Sequence, residues 1–67
     1  MNHHPTRSDF VPPAALSLVH QVRRFGPYGI LYEVLSVVDA ENVHILVIET
    51  GEKLDYPITS VLDDPVD

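Results

Sequence analysis

The 67-residue sequence predicts a small α+β domain: a short N-terminal helix, a small antiparallel sheet of three to four strands in meander order, and a C-terminal helical turn. Three observations predict it. Apolar residues recur at helical spacing between Ala15 and Val22. Two stretches, Ile30–Val38 and Val43–Thr50, are rich in β-branched and aromatic residues. Short polar segments, Asp39–Asn42 and Thr50–Lys53, link these stretches and a third, Leu54–Tyr56, at hairpin length. Closure of the sheet into a small barrel is an alternative that periodicity leaves open.

Taken in order, residues 1–12 carry Pro5 and Pro12 and no periodicity, and read as a flexible arm. Residues 13–63 form the single domain and residues 64–67 an acidic tail. Pro12 and Pro13 suit the opening of a helix, where a missing N–H leaves nothing unpaired. Ala15, Leu18, Val19 and Val22 fall on one stripe of that helix. Arg23 and Arg24 would sit at the negative end of its dipole, and Gly26-Pro27 would stop it. Val22–Phe25 fits the last helical turn and a short strand entering the Gly26–Gly29 turn equally well.

Strict alternation gives the first long strand one face of Ile30, Tyr32, Val34, Ser36 and Val38, and another of Leu31, Glu33, Leu35, Val37 and Asp39. The next strand sets Val43, Ile45 and Val47 against His44, Leu46 and Ile48. Both faces are apolar at mid-strand, whereas a sheet with one wet face alternates cleanly. The surplus apolar face points to a partner or to self-association. Pro57 cannot donate to a ladder and should end the pairing. Ile58, Val61 and Leu62 then match one helical turn, and Asp63–Asp67 should fray.

Size makes the same demand. A chain this short buries only about 60% of the surface its unfolded form exposes. It contains no cysteine, so neither disulfides nor thiolate metal sites can supplement the core. Its composition, 45% hydrophobic, is that of a foldable chain. The net charge is −6 and unevenly placed: residues 1–24 carry Arg7, Arg23 and Arg24 against Asp9, whereas residues 25–67 carry Lys53 against nine carboxylates. Such a surface repels phosphate and favours a basic protein. Neither a signal peptide nor an apolar span is visible, so a cytosolic location is expected, away from membrane.

The chemistry-bearing residues point away from an enzyme. Ser8, Ser17, Ser36 and Ser60 have no paired histidine and carboxylate at a recognisable local spacing. His3 could chelate copper or nickel with a free amino terminus, but position alone is weak warrant, and His44 reads as a packed or edge residue; no metal and no cofactor is expected. Arg7, Arg23 and Arg24 beside Phe25, Tyr28 and Tyr32 could hold phosphate and stack bases. The acidic half argues against this for a monomer, though an oligomer would repeat the basic arm. Asp55 can cap the following turn, and Tyr56 can anchor an interface. The candidate partner-binding residues are therefore Arg23, Arg24, Phe25, Tyr28, Tyr32, Asp55 and Tyr56.

Arg23-Arg24-Phe25-Gly26-Pro27-Tyr28-Gly29, Tyr32-Glu33-Val34-Leu35, Glu49-Thr50-Gly51-Glu52 and Leu54-Asp55-Tyr56-Pro57 together resemble a group of short bacterial proteins classed as a domain of unknown function. The resemblance covers Val22 to Pro65 and leaves the arm and first helix outside it. It implies that Val22–Phe25 is a strand, and that the chain is like the antitoxin components of two-gene modules. Ile30-Leu31 departs from the Pro or Gly expected after Gly29. The function expected is thus a small acidic module that masks a basic partner protein. A nucleic-acid-binding or transcription-regulating module and a self-associating homo-oligomer are the alternatives.

Overall fold

The computed structural model describes residues 13–67. Four strands, β1 (Val22–Arg24), β2 (Leu31–Val37), β3 (Asn42–Val47) and β4 (Lys53–Pro57), form one antiparallel sheet in the order β1-β2-β3-β4. The sheet is open, so the barrel alternative is not adopted. A helix, Ile58–Asp63, follows β4 directly. Residues 1–12, read above as a flexible arm, lie outside the described residues.

The expected N-terminal helix does not form. Pro13–Leu16 makes a single helical turn, and the chain then turns through His20, whose φ of 75° lies in the left-handed region. So short a helix has no stability of its own. Pairing with β2 claims the rest: the His20 amide donates to the Val34 carbonyl at 2.7 Å, and the Val34 amide to that of Gln21 at 3.0 Å. The stripe still has meaning, because Ala15 and Leu18 are both 3% exposed. Val22–Arg24 is strand, paired in register with Glu33, Tyr32 and Leu31.

The second long strand is shorter than its composition predicts. It stops at Val47, and Ile48–Thr50 belongs to the turn, where the Gly51 amide reaches the Val47 carbonyl at 2.8 Å. Gly51 takes φ 77°, which a residue with a Cβ adopts reluctantly. At the other hairpin, the Asp39 carboxylate accepts the amides of Glu41 and Asn42, both at 2.8 Å, holding the loop open for β3.

Strict alternation along β2 fails at one place. The register with β3 shifts between Val34 and Ser36, so that Ser36 lies opposite His44 and Val37 opposite Val43. A bulge of this kind re-aims every later side chain. Val37 therefore joins the core side, against the expected face. On that side Tyr32, Val34, Val43, Ile45 and Val61 are fully buried, with Leu18 beside them and Phe25, Leu54, Tyr56 and Ile58 packed around. The helix contributes Val61, and the chain leading into β1 contributes Leu18. Because the interior is so small, each methylene counts. Ile45→Val should lower the unfolding free energy by about 0.5–1.5 kcal/mol, read as a fall in denaturant midpoint at unchanged m-value.

Candidate functional site

The seven candidate residues divide into two groups. Arg23, Phe25, Tyr32 and Tyr56 point to the core side of the sheet. Arg23 is 8% exposed, and all three nitrogens of its guanidinium donate hydrogen bonds. Nε and Nη2 donate to the Gln21 side-chain oxygen at 3.0 and 2.8 Å, and Nη1 donates to the Val61 and Asp64 carbonyls, both at 2.9 Å. Those carbonyls belong to the end of the C-terminal helix, where the last turn leaves acceptors unpaired and partially negative. Phe25, Tyr32 and Tyr56 form a triangle of rings with centroids 4.5 to 5.4 Å apart.

Asp64 sits at the head of that triangle. Its Oδ2 accepts the Tyr32 hydroxyl at 2.8 Å and the Tyr56 hydroxyl at 2.9 Å, and its Oδ1 accepts the Gly26 amide at 3.0 Å. Burial pushes the Asp64 carboxyl up, but the hydrogen bonds from Tyr32, Gly26 and Tyr56 and the charge of Arg23 outweigh it and hold the group below its usual 3.8. Burial and the bond to Asp64 raise both phenols, Tyr56 to about 12. Asp64, just past the helix, thus ties β2, β4 and the turn after β1 to one carboxylate. The tail expected to fray is also paired: the Arg24 amide donates to the Pro65 carbonyl and the Asp67 amide to that of Val22, each at 3.0 Å. The sequence hides this because the tyrosines stand 32 and 8 positions from Asp64.

The other side of the sheet is different. Register places Val22, Arg24, Leu31, Glu33, Leu46, Ser36, His44 and Asp55 there. Val22, Leu31 and Leu46 are only half-buried, and Ile48 and Ile30 at its rim are 47% and 41% exposed. At one end a shallow groove of about 370 Å³ is lined by Arg24, Tyr28, Gly29, Ile30, Leu31, Ile48 and Glu49. Tyr28, 96% exposed, stands on the turn that forms its wall. The turn is tight: any Cβ on Gly29 would collide with the Phe25 carbonyl. Arg24 crosses the groove edge, donating to the Gly29 carbonyl at 3.0 Å and pairing with Asp67 at 3.2 Å.

At the opposite end, Ser36, His44 and Asp55 lie side by side on β2, β3 and β4. His44 Nδ1 is 3.0 Å from the Asp55 carboxylate. This row joins a serine, a histidine and a carboxylate that local spacing in the sequence does not connect. Ser36 is exposed and makes no hydrogen bond to His44, so the row lacks the link that activates a nucleophile. Asp55 therefore pairs across strands rather than capping the helix, whose first residue follows Pro57 with no side-chain cap. Among the described residues, no three His, Cys, Asp or Glu side chains group as metal ligands, and no helix is long and apolar enough to cross a membrane.

A family model described as a family of unknown function (DUF5397) matches residues 8–67, so the likeness read from Val22 to Pro65 extends back through the expected helix and into the end of the expected arm. No curated protein and no solved structure matches the chain.

The Asp64 cluster has a measurable pH signature. Its folded pKa lies below the unfolded value, so its contribution is present above about pH 3.8 and is lost as pH falls through the lower, folded value. In acid titrations of stability, Asp64→Asn should flatten the curve in that window. Tyr32→Phe should cost about 1.5–3 kcal/mol at neutral pH, the range for a bond to a charged acceptor.

Proposed function

The chain belongs to the DUF5397 family, whose function is unknown, and we propose that it is a small acidic protein-binding module that docks a basic partner protein on the open face of its sheet. One observation carries this reading. The side of the sheet opposite the core keeps Val22, Leu31, Leu46 and Ile48 half-buried or exposed, and among the described residues no second layer covers them. Apolar area of this kind supplies the anchor of an interface, while charge steers the encounter. The charge is suited to a basic surface: the net value is −6, and Glu41, Glu49, Glu52, Asp55, Asp63 and Asp67 are all exposed. Masking of a basic toxin in the cytosol, in the manner of an antitoxin, is the specific form of the proposal.

The fate of the arginines supports a protein partner over nucleic acid. Arg23 is buried on carbonyls, and Arg24 is engaged by Gly29 and Asp67. Neither offers a free guanidinium to a phosphate, and the neighbouring rings of Phe25, Tyr32 and Tyr56 are spent on each other rather than on bases. Of the seven candidates, Tyr28, Arg24 and Asp55 remain for surface contact, joined by Leu31, Leu46 and Ile48, which the sequence did not single out.

The test is co-expression with the product of the adjacent gene. A basic protein should co-purify at fixed stoichiometry, and Leu46→Lys should abolish the complex while leaving the far-ultraviolet dichroism of the free chain unchanged. A complex that survives both Leu46→Lys and Ile48→Lys would place the contact elsewhere. Strong salt-sensitive DNA or RNA binding, lost in Arg24→Ala, would favour the nucleic-acid alternative instead.

A further inference from the structure

The two edges of the sheet are protected in different ways. β4 carries the exposed Lys53 and finishes on Pro57, which are common guards against strand addition. β1 has neither guard. Its outer edge is covered by residues 65–67 of the same chain, which run antiparallel to it: Val66 lies opposite Arg23, and two main-chain hydrogen bonds of 3.0 Å flank that pair. This cover is held lightly. Pro65, Val66 and Asp67 are all exposed, Val66 by 61%, so none of them anchors in the core. Among the described residues their one side-chain ion pair is that of Asp67 with Arg24, between groups 48% and 37% exposed. Such a pair contributes little in water. The residue just before is the reverse case, since Asp64 is fastened by two tyrosines, the Gly26 amide and Arg23. Side-chain anchoring in the core stops at Asp64, and residues 65–67 are held by two main-chain hydrogen bonds and one exposed ion pair.

We propose that the outer edge of β1 is a strand-docking site for an extended acidic segment of another protein, with residues 65–67 as its displaceable internal occupant. Main-chain hydrogen bonding would come from the Arg24 amide and the Val22 carbonyl, the two groups that the occupant now satisfies. Selectivity would come from Arg24, which loses its one carboxylate among the described residues when Asp67 leaves and so calls for another in the same place. The same charge disfavours a second copy adding through its own β1, because that would bring Arg23 and Arg24 of both copies together. The site uses the edge of the sheet rather than its open face, and does not depend on the basic-partner reading.

The experiment is a backbone amide titration by nuclear magnetic resonance on a chain deleted for residues 65–67, with a synthetic peptide of residues 62–67 as probe. The Val22 and Arg24 amides should shift and saturate in the millimolar range. The peptide carrying Asp67→Lys should bind several-fold more weakly, and the intact chain should respond less than the deleted one because its own segment competes. Hydrogen exchange on the intact chain supplies a second reading: the Arg24 and Asp67 amides should exchange well ahead of those of Val34 and Ile45. Absence of peptide shifts at Val22 and Arg24, equal response to both peptides, or equal protection of all four amides would overturn the proposal. Unfolding of the deleted chain would do so too, since residues 65–67 would then be part of the core fold. Self-association of the deleted chain without a peptide response would assign the edge to a second copy and reject an acidic partner.

Discussion

A guanidinium in the interior of so small a domain constrains everything around it. Moving a charge out of water costs several kcal/mol unless each donor finds an acceptor. Arg23 has no carboxylate at salt-bridge distance and is served by one side-chain amide and two main-chain carbonyls. Those carbonyls exist in the right place only if the helix after β4 ends against β1. The first strand and the final helix are thereby brought together from 38 to 41 positions apart in the sequence. The Val61 and Asp64 carbonyls at the helix end thereby gain a donor without the glycine cap common at such ends. Among the described residues no buried side-chain polar atom lacks a partner, so this arrangement closes fully.

The same contact organises the surface. Because Arg23 holds the Val61 and Asp64 carbonyls, the Asp64 side chain is free to turn towards Tyr32, Tyr56 and Gly26. The three rings then fill the end of the core that the short helix cannot reach. Consuming these residues on one side of the sheet leaves the other side with no covering layer among the described residues. The open face, and a β1 edge covered by residues 65–67 alone among the described residues, are consequences of how few elements the chain has to spend. Among the described residues the helical elements are the four-residue turn Pro13–Leu16 and the six-residue helix Ile58–Asp63, which are too short to cover both faces of the sheet.

Much of the fold was legible in the residues. β-branched runs and the turn chemistry at Asp39–Asn42 and Gly51 marked the meander, and Ile58, Val61 and Leu62 marked the last helix. The surplus of apolar residues on two faces was visible as Leu31, Leu46 and Ile48 opposite Tyr32, Ile45 and Val47. The N-terminal segment departs furthest from its local pattern. Ala15, Leu18, Val19 and Val22 do have helical spacing, but main-chain pairing to Val34 outcompeted a helix of so few turns. The bulge at Val34–Ser36 was invisible for a related reason: nothing in a run of alternating residues records where a partner strand slips.

The candidate site was legible by residue type more than by role. Arg23, Phe25, Tyr32 and Tyr56 were recognisable as important, since aromatic and arginine side chains carry large burial and many donors. Whether they faced a partner or the interior depended on where the helix terminus and Asp64 came to rest, and those sit far away in the sequence. Local pattern, set by the period of the side chains and the freedom of the turns, determined the strands, the turns and the acidic character of the surface. Tertiary structure alone decided which arginine would be buried, which aspartate would gather the tyrosines, and which face of the sheet would carry the core. Those outcomes come from hydrogen-bonding demands that only the assembled chain can satisfy.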